Sequence, residues 1–179
     1  MCSSDLKQGE LDEPKKLCTS VLAKQTKLLG AEHASTLDTE FNLAGLLYEQ
    51  GEWDEAKKLL TSVLAKKTKL LGAEHADTLG TEGNLANLLS DQGELDEAKK
   101  LYTSVLAKQT KLLGPEHADT LCTEGNLADL LMQEGHLEEA KATMERVLEA
   151  QTKLLGPNHP YTQCTASNVK EVMEKLAAK

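Results

Sequence analysis

A 42-residue unit recurs almost four times along this chain, and that repetition constrains the fold more than any other property of the sequence. Gly9, Gly51, Gly93 and Gly135 share one register, Gly30, Gly72, Gly114 and Gly156 a second, and His33, His75, His117 and His159 a third. Units that stack on their neighbours build surfaces rather than enclosed pockets, so function is expected on one face of an array.

Two helices are legible in each unit. In the copy Leu71–Leu112 the first, helix A, is predicted from about Ala76 to Gln92, with Leu79, Leu85, Ala86, Leu88 and Leu89 at helical spacing. Gly93 stops it, taking a left-handed conformation at no steric cost. Helix B opens with Glu94, Asp96 and Glu97 and closes with Lys108 and Lys111, the charge order that the helix macrodipole favours. Gly114 ends it; Pro115 and Pro157 follow the terminal glycine in two copies and cannot continue a helix. His159-Pro160 places histidine at a cap and proline at the first helical position.

Neither helix can bury its apolar stripe alone, so the pair must pack together and then against the next pair. The expected fold is all-α: a right-handed superhelix of helical hairpins, with small Ala56, Ala98 and Ala140 at the crossings. The array is read as one domain over residues 1–179, with full repeats at 31–72, 73–114 and 115–156. A partial repeat is expected at 1–30 and a charged capping helix at 157–179. Residues 1–8 align with the last turns of a helix A, and Pro14 replaces the crossing alanine. The first hairpin is therefore expected to be incomplete: either the chain is a fragment of a longer array, or residues 10–29 form an N-terminal cap with a frayed start.

Only 3% of residues are aromatic, so the core must be built from Leu, Ala and Val. A net charge of -9 argues against nucleic acid and against an anionic membrane as partner. The first residues contain no apolar h-region and no run of apolar residues is long enough to span a bilayer, which makes the cytoplasm the expected location. Cys2, Cys18, Cys122 and Cys164 lack metal-ligand spacing, and only Cys122 and Cys164 share a register. Equivalent positions on stacked repeats lie about 10 Å apart, beyond the ~7 Å reach of a disulfide, so all four read as reduced thiols.

The run NLANLLSDQGELDEAKKLY, with small Ala86 and Ala98 and large Leu89 and Tyr102, resembles a tetratricopeptide repeat. Repeats of that family usually have about 34 residues. The longer unit here, the LG-x-EH joint and the NLA run together resemble the 42-residue class of the kinesin light chains, and the resemblance covers about Gln8 to Met173.

Comparing Leu29–Leu70 with Leu71–Leu112, nine of 42 positions differ. Five of them, Asp38/Gly80, Phe41/Gly83, Gly45/Asn87, Tyr48/Ser90 and Glu49/Asp91, fall on one stripe of helix A. The stripe changes again at Gly80/Cys122, Asn87/Asp129, Ser90/Met132 and Asp91/Gln133. The resemblance implies that this stripe faces a concave groove where peptides bind. Neutral drift is the competing account, yet exposed helix B positions such as Lys57, Lys58, Thr61 and Ser62 did not drift between the same copies.

Asn42, Asn84, Asn126 and Asn168 keep one register beside the stripe, although asparagine inside a helix costs up to ~0.7 kcal/mol against alanine. The resemblance implies that they hold the backbone of a bound peptide; a bond between neighbouring repeats is the alternative. Phe41, Tyr48 and Met132 would supply apolar contact, and Asp38, Glu49, Asp91 and Asp129 would select charge. Gly45, Gly83, Asn87 and Gln133 complete the lining, and Gly80, Gly83 and Gly125 weaken their helices by ~1 kcal/mol each against alanine, either widening the groove floor or fraying their helices. The first three helices A carry no Lys or Arg, so the groove is expected to be acidic and to prefer a basic or neutral protein segment.

Chemical sites are not expected. Histidines about 10 Å apart cannot share a zinc ion, whose nitrogen ligands lie at ~2.0–2.1 Å; a capping or joint-packing role fits them better. The repeated Glu-His pairs lack a nucleophile and an oxyanion donor cluster. The sequence has no GxxxxGK[ST] loop and no GxSxG elbow. The helix B lysines form a solvated face. The chain reads as a binding scaffold, not an enzyme, with no cofactor and no metal. Three variants of that reading stay open: a kinesin light chain-like cargo adaptor, a sensor or assembly fragment of a larger signalling protein, and end-to-end self-association. A true kinesin light chain would need a motor-binding coiled coil before the repeats, which the eight residues there cannot supply.

Overall fold

The computed structural model describes residues 3–178, and side chains over 12–178. Among the described residues there are eight helices: α1 (Ser3–Leu29), α2 (Ala34–Glu49), α3 (Trp53–Leu71), α4 (Ala76–Asp91), α5 (Leu95–Leu113), α6 (Ala118–Gln133), α7 (Leu137–Leu155) and α8 (Pro160–Ala177). Helices α2, α4, α6 and α8 are the predicted helices A; α3, α5 and α7 are helices B. The chain divides into two compact units, one through Gln92 and one from Gly93. In the first, α1 packs on α2, α2 on α3 and α3 on α4; in the second, α5 packs on α6, α6 on α7, α7 on α8, and α6 also meets α8.

The joints explain the repeated sequence marks. Each helix A starts at a histidine whose Nδ1 accepts a hydrogen bond from the backbone N–H two residues on: Ser35 to His33, Asp77 to His75 and Asp119 to His117 at 3.2 Å, Tyr161 to His159 at 3.3 Å. An accepting Nδ1 places the ring proton on Nε2. Pro160 occupies the start of α8, where the missing N–H costs nothing. At the other end of α2, Gly51 (φ 78°) donates to Tyr48 O at 3.0 Å and Glu52 to Leu47 O at 2.9 Å, the paired bonds of a Schellman ending. The glycine after each helix B is under a different constraint: Gly114 sits at φ 92°, ψ 161°, a region open essentially to glycine alone.

The histidine caps carry a prediction. Removing the acceptor in His117→Ala should lower the unfolding free energy by about 0.5–2 kcal/mol, with His117→Asn recovering most of it, because asparagine also caps through a side-chain acceptor. Urea unfolding followed by circular dichroism checks this.

Ala56 and Ala140 are fully buried, as their small size at helix crossings requires. In the second unit Ala128, Leu131, Met132, Leu137, Ala140, Met144 and Val172 form one core cluster, and Leu121, Val147 and Ala150 another. Helix α1 departs from the expected pattern, because it runs unbroken through both Gly9 and Pro14. Glycine inside a helix costs about 1 kcal/mol but does not oblige it to stop, and proline removes one hydrogen bond without ending flanking turns that hold. Cys18, Cys122 and Cys164 are free thiols, while Cys2 lies outside the described residues. Burial, followed by the charge of Asp119 and by Cys164, pushes the Cys122 thiol up and keeps it protonated.

Candidate functional site

In the first unit the variable stripe separates into two clusters with different roles. Nearer the start of α2, Asp38 accepts from Lys67 Nζ at 3.1 Å, and the same ammonium stands 5.0 Å from the centre of the Phe41 ring. The Lys67 side chain is only 5% exposed, against 60% for Asp38. A buried ammonium needs a counter-charge and an aromatic face. Asp38, Phe41 and Lys67 all change together in the next copy, to Gly80, Gly83 and Gln109. Their divergence therefore has an internal cause, because Asp38 and Phe41 both already have Lys67 as an internal partner.

Further along α2 the residues surround empty space. A cavity of about 230 Å3 is lined by Ala44, Gly45, Tyr48 and Glu49 of α2, Leu60 of α3, and Asn84 and Asn87 of α4. Five of these, Gly45, Tyr48, Glu49, Asn84 and Asn87, are residues that the sequence marks as candidates. The space exists because Gly45 has no side chain: a Cβ built there meets nothing within 4 Å, and the same is true at Gly83. The Tyr48 hydroxyl donates to Asp91, tying α2 to α4 at the rim. Glu49 is exposed and, among the described residues, has no ion-pair partner.

Burial first, then the hydrogen bond to Asp91 and the charge of Asp91, push the Tyr48 phenol up to about 12. Its folded value thus lies above the ordinary tyrosine value of about 10. The neutral phenol favours the folded state, a contribution fully present below pH ~10 and lost as pH rises through about 12. In Asp91→Asn the ionisation of Tyr48 should move down toward the ordinary value, read by NMR of isotope-labelled tyrosine; an unmoved titration would show that Asp91 plays no part.

The asparagine row is not uniform. Asn42 and Asn84 are exposed and have no hydrogen-bonding partner among the described residues, so a bond between repeats does not account for them. Asn126 is half-buried and already has a partner, as does Asn87; Asn168 is half-buried. In the second unit, Gln133 Nε2 donates to Asp129 Oδ2 at 3.0 Å, one turn away on the same helix. Met132 is a correction: at 5% exposure it belongs to the core cluster with Met144 and Val172, and it offers no surface to a ligand. Ser90 in the same register is buried too, whereas Tyr48 is half-buried and lines the cavity.

The acidity expected of helix A is also reduced. Lys66 Nζ reaches both carboxylate oxygens of Glu40, at 2.9 and 2.8 Å, and Arg146 pairs with Glu124. These two glutamates share a register, but Ala150 stands where Lys66 would recur, and Arg146 supplies the cation from one turn earlier. A second relocation follows the same logic. Lys15 pairs with Glu52 at 2.5 Å, whereas two copies later His136 replaces that glutamate and Lys99 pairs with Glu134 at 2.6 Å. The charges held between helices are kept while their positions move.

Among the described residues, no helix is long and apolar enough to cross a membrane. The tetratricopeptide repeat model matches residues 1–69, 74–140 and 119–177. No curated protein matches the sequence. Among solved structures, the chain is similar to the kinesin light chain nearly identical TPR-like repeats of Podosopora anserina, at 30% identity and a TM-score of 0.76 over 97% of this chain and 82% of that one. A variant of that protein with one substitution gives 30% identity and a TM-score of 0.74, over 96% and 87%. BtubC (BKLC) of P. vanneervenii, at 17% identity and a TM-score of 0.72 over 98% of this chain and 79% of that one, shares the fold. Tetratricopeptide folds are protein-interaction scaffolds and not typically enzymes. With its helical hairpins, its 42-residue period and the match along nearly its whole length, this chain belongs to the tetratricopeptide repeat family, in the kinesin light chain-like class.

Proposed function

We propose that this protein is an adaptor that holds an extended peptide or a partner helix against its helix A faces. The observation that carries the reading is the cavity between α2, α3 and α4, which gathers five residues of the variable stripe and the asparagine row at one place. Asn42 and Asn84 support it, since each presents an amide donor and acceptor that no described internal group uses. A peptide backbone needs such groups at regular spacing, because every N–H and C=O it buries must be paired.

The kinesin light chain-like class makes cargo binding a natural variant of this role. The bound segment is basic or neutral, given exposed Glu49 and the Asp91 carboxylate at the rim. The test is a lysate pull-down read by mass spectrometry with wild type and the triple variant Tyr48→Arg, Asn84→Ala, Asp129→Arg, after its helicity is shown to be unchanged. Partners retained by wild type and lost by the variant are the expected result. Equal capture by both proteins would move binding off the helix A faces.

A further inference from the structure

We propose that the cavity at Gly45 is a socket for one long cationic side chain, arginine above all, of the bound segment. This deepens the adaptor reading and rests on it. The cavity's volume, about 230 Å3, lies below the ~300 Å3 at which pockets for whole small molecules begin. It suits a single side chain delivered by a longer ligand.

Its walls are graded. Ala44 and Leu60, both buried, give the cavity an apolar floor, and the Tyr48 side chain is part of its wall. Exposed Glu49 and Asn84 line the space as well, with Asn87, which already has a partner, and among the described residues no cation lines it. Asp91 stands beside the rim, fixed by the Tyr48 hydroxyl. A side chain that fits such a gradient has an aliphatic stem and a positive head. Arginine fits better than lysine because its flat guanidinium stacks on an aromatic ring and forks onto a carboxylate and a carbonyl together. An acidic side chain would meet Glu49 and Asp91 with no counter-charge.

The socket is particular to the first full repeat. Its opening depends on Gly45, whose register holds Asn87 and then Asp129 in the next copies, and on Tyr48, followed by Ser90 and Met132. It also depends on Leu60, whose register in the next copy holds the larger Tyr102. Three of the nine differences between the first two full copies thus bear on one feature.

The test is selection from a random dodecapeptide display library on the intact protein, run in parallel on wild type, Gly45→Leu and Glu49→Gln. Gly45→Leu fills the cavity on a helix where a Cβ meets nothing within 4 Å, and unchanged circular dichroism and melting verify its fold. Wild type should enrich peptides with one invariant arginine or lysine, and changing that residue to norleucine should weaken binding at least tenfold. Gly45→Leu should lose these peptides, and Glu49→Gln should bind them several-fold more weakly. Enriched peptides without an invariant cation, or with equal affinity for their norleucine forms, would overturn the socket while leaving the adaptor reading intact, provided that Asn84→Ala still weakens them. Failure to enrich any peptide sensitive to Asn84→Ala would overturn both.

Discussion

Replacing Met144 by alanine is expected to lower the unfolding free energy by about 2–5 kcal/mol, the cost of deleting a large buried side chain from a core that closes the gap only in part. Met144 has no solvent exposure and packs in one cluster with Ala128, Leu131, Met132, Leu137, Ala140 and Val172, which draws on α6, α7 and α8. Its register holds Cys18, Leu60 and Tyr102 in the other copies. Each copy therefore fills this position to a different volume, and the neighbours must be matched to it. Met144→Leu conserves volume and should cost less than about 1.5 kcal/mol. Urea unfolding gives the magnitude. Hydrogen exchange gives the location: amides of α6–α8 should lose protection first, because each helix is held by its neighbours in the array.

The second large effect is expected from the Lys66–Glu40 pair. The Glu40 side chain is only 12% exposed, and Lys66 contacts both of its oxygens across α2 and α3. Lys66→Met leaves that carboxylate without its cation in a nearly dry site. The expected loss is about 2–3 kcal/mol, somewhat below the ~3–5 kcal/mol of a fully buried pair because some solvent reaches both groups. Adding Glu40→Gln removes the stranded charge and should restore most of the stability. A double-mutant cycle in urea measures this directly; a double variant as unstable as Lys66→Met would show that packing of the lysine stem, and not the charge, carries the effect.

The extents of the helices were readable because the same punctuation returns in each copy. In the full copies a histidine followed four residues later by a buried leucine starts helix A, and the glycine registers end both helix types. Repetition averages away the local ambiguity of any one copy. Helix α1 misled for the same reason. Gly9 falls in a stopping register, but a register shows what the other copies do, and the helix runs on through it.

The candidate site was legible in part. Comparing copies isolated Gly45, Tyr48 and Glu49, and the asparagine row added Asn84; these line the cavity. Asp38 and Phe41 lie on the same helix A stripe, so the stripe alone does not separate them from the cavity residues. The signal that would have separated them was present in helix B, where Lys67/Gln109 changes in the same comparison and Lys67 is their partner. Leu60/Tyr102 is a parallel case on the cavity side. Met132 shares a register with half-buried Tyr48 and buried Ser90, at an edge of the stripe where helical spacing alone does not set burial. The moved cation Arg146 and the moved anion Glu134 are likewise visible only as paired losses and gains two to four residues apart.

A partner lying against the helix A face at the α2–α4 cavity, as proposed, would sit over Asn84. A photo-crosslinking amino acid is placed at Asn84, on that face, or at Thr61, an exposed helix B position that does not vary between the first two full copies, and crosslinks in lysate are mapped by mass spectrometry. The Asn84 probe is expected to capture a defined segment carrying an arginine or lysine within a few residues of the crosslink, and the Thr61 probe is not. Capture of the same segment from Thr61 and not from Asn84 would contradict it and place recognition on the outer face.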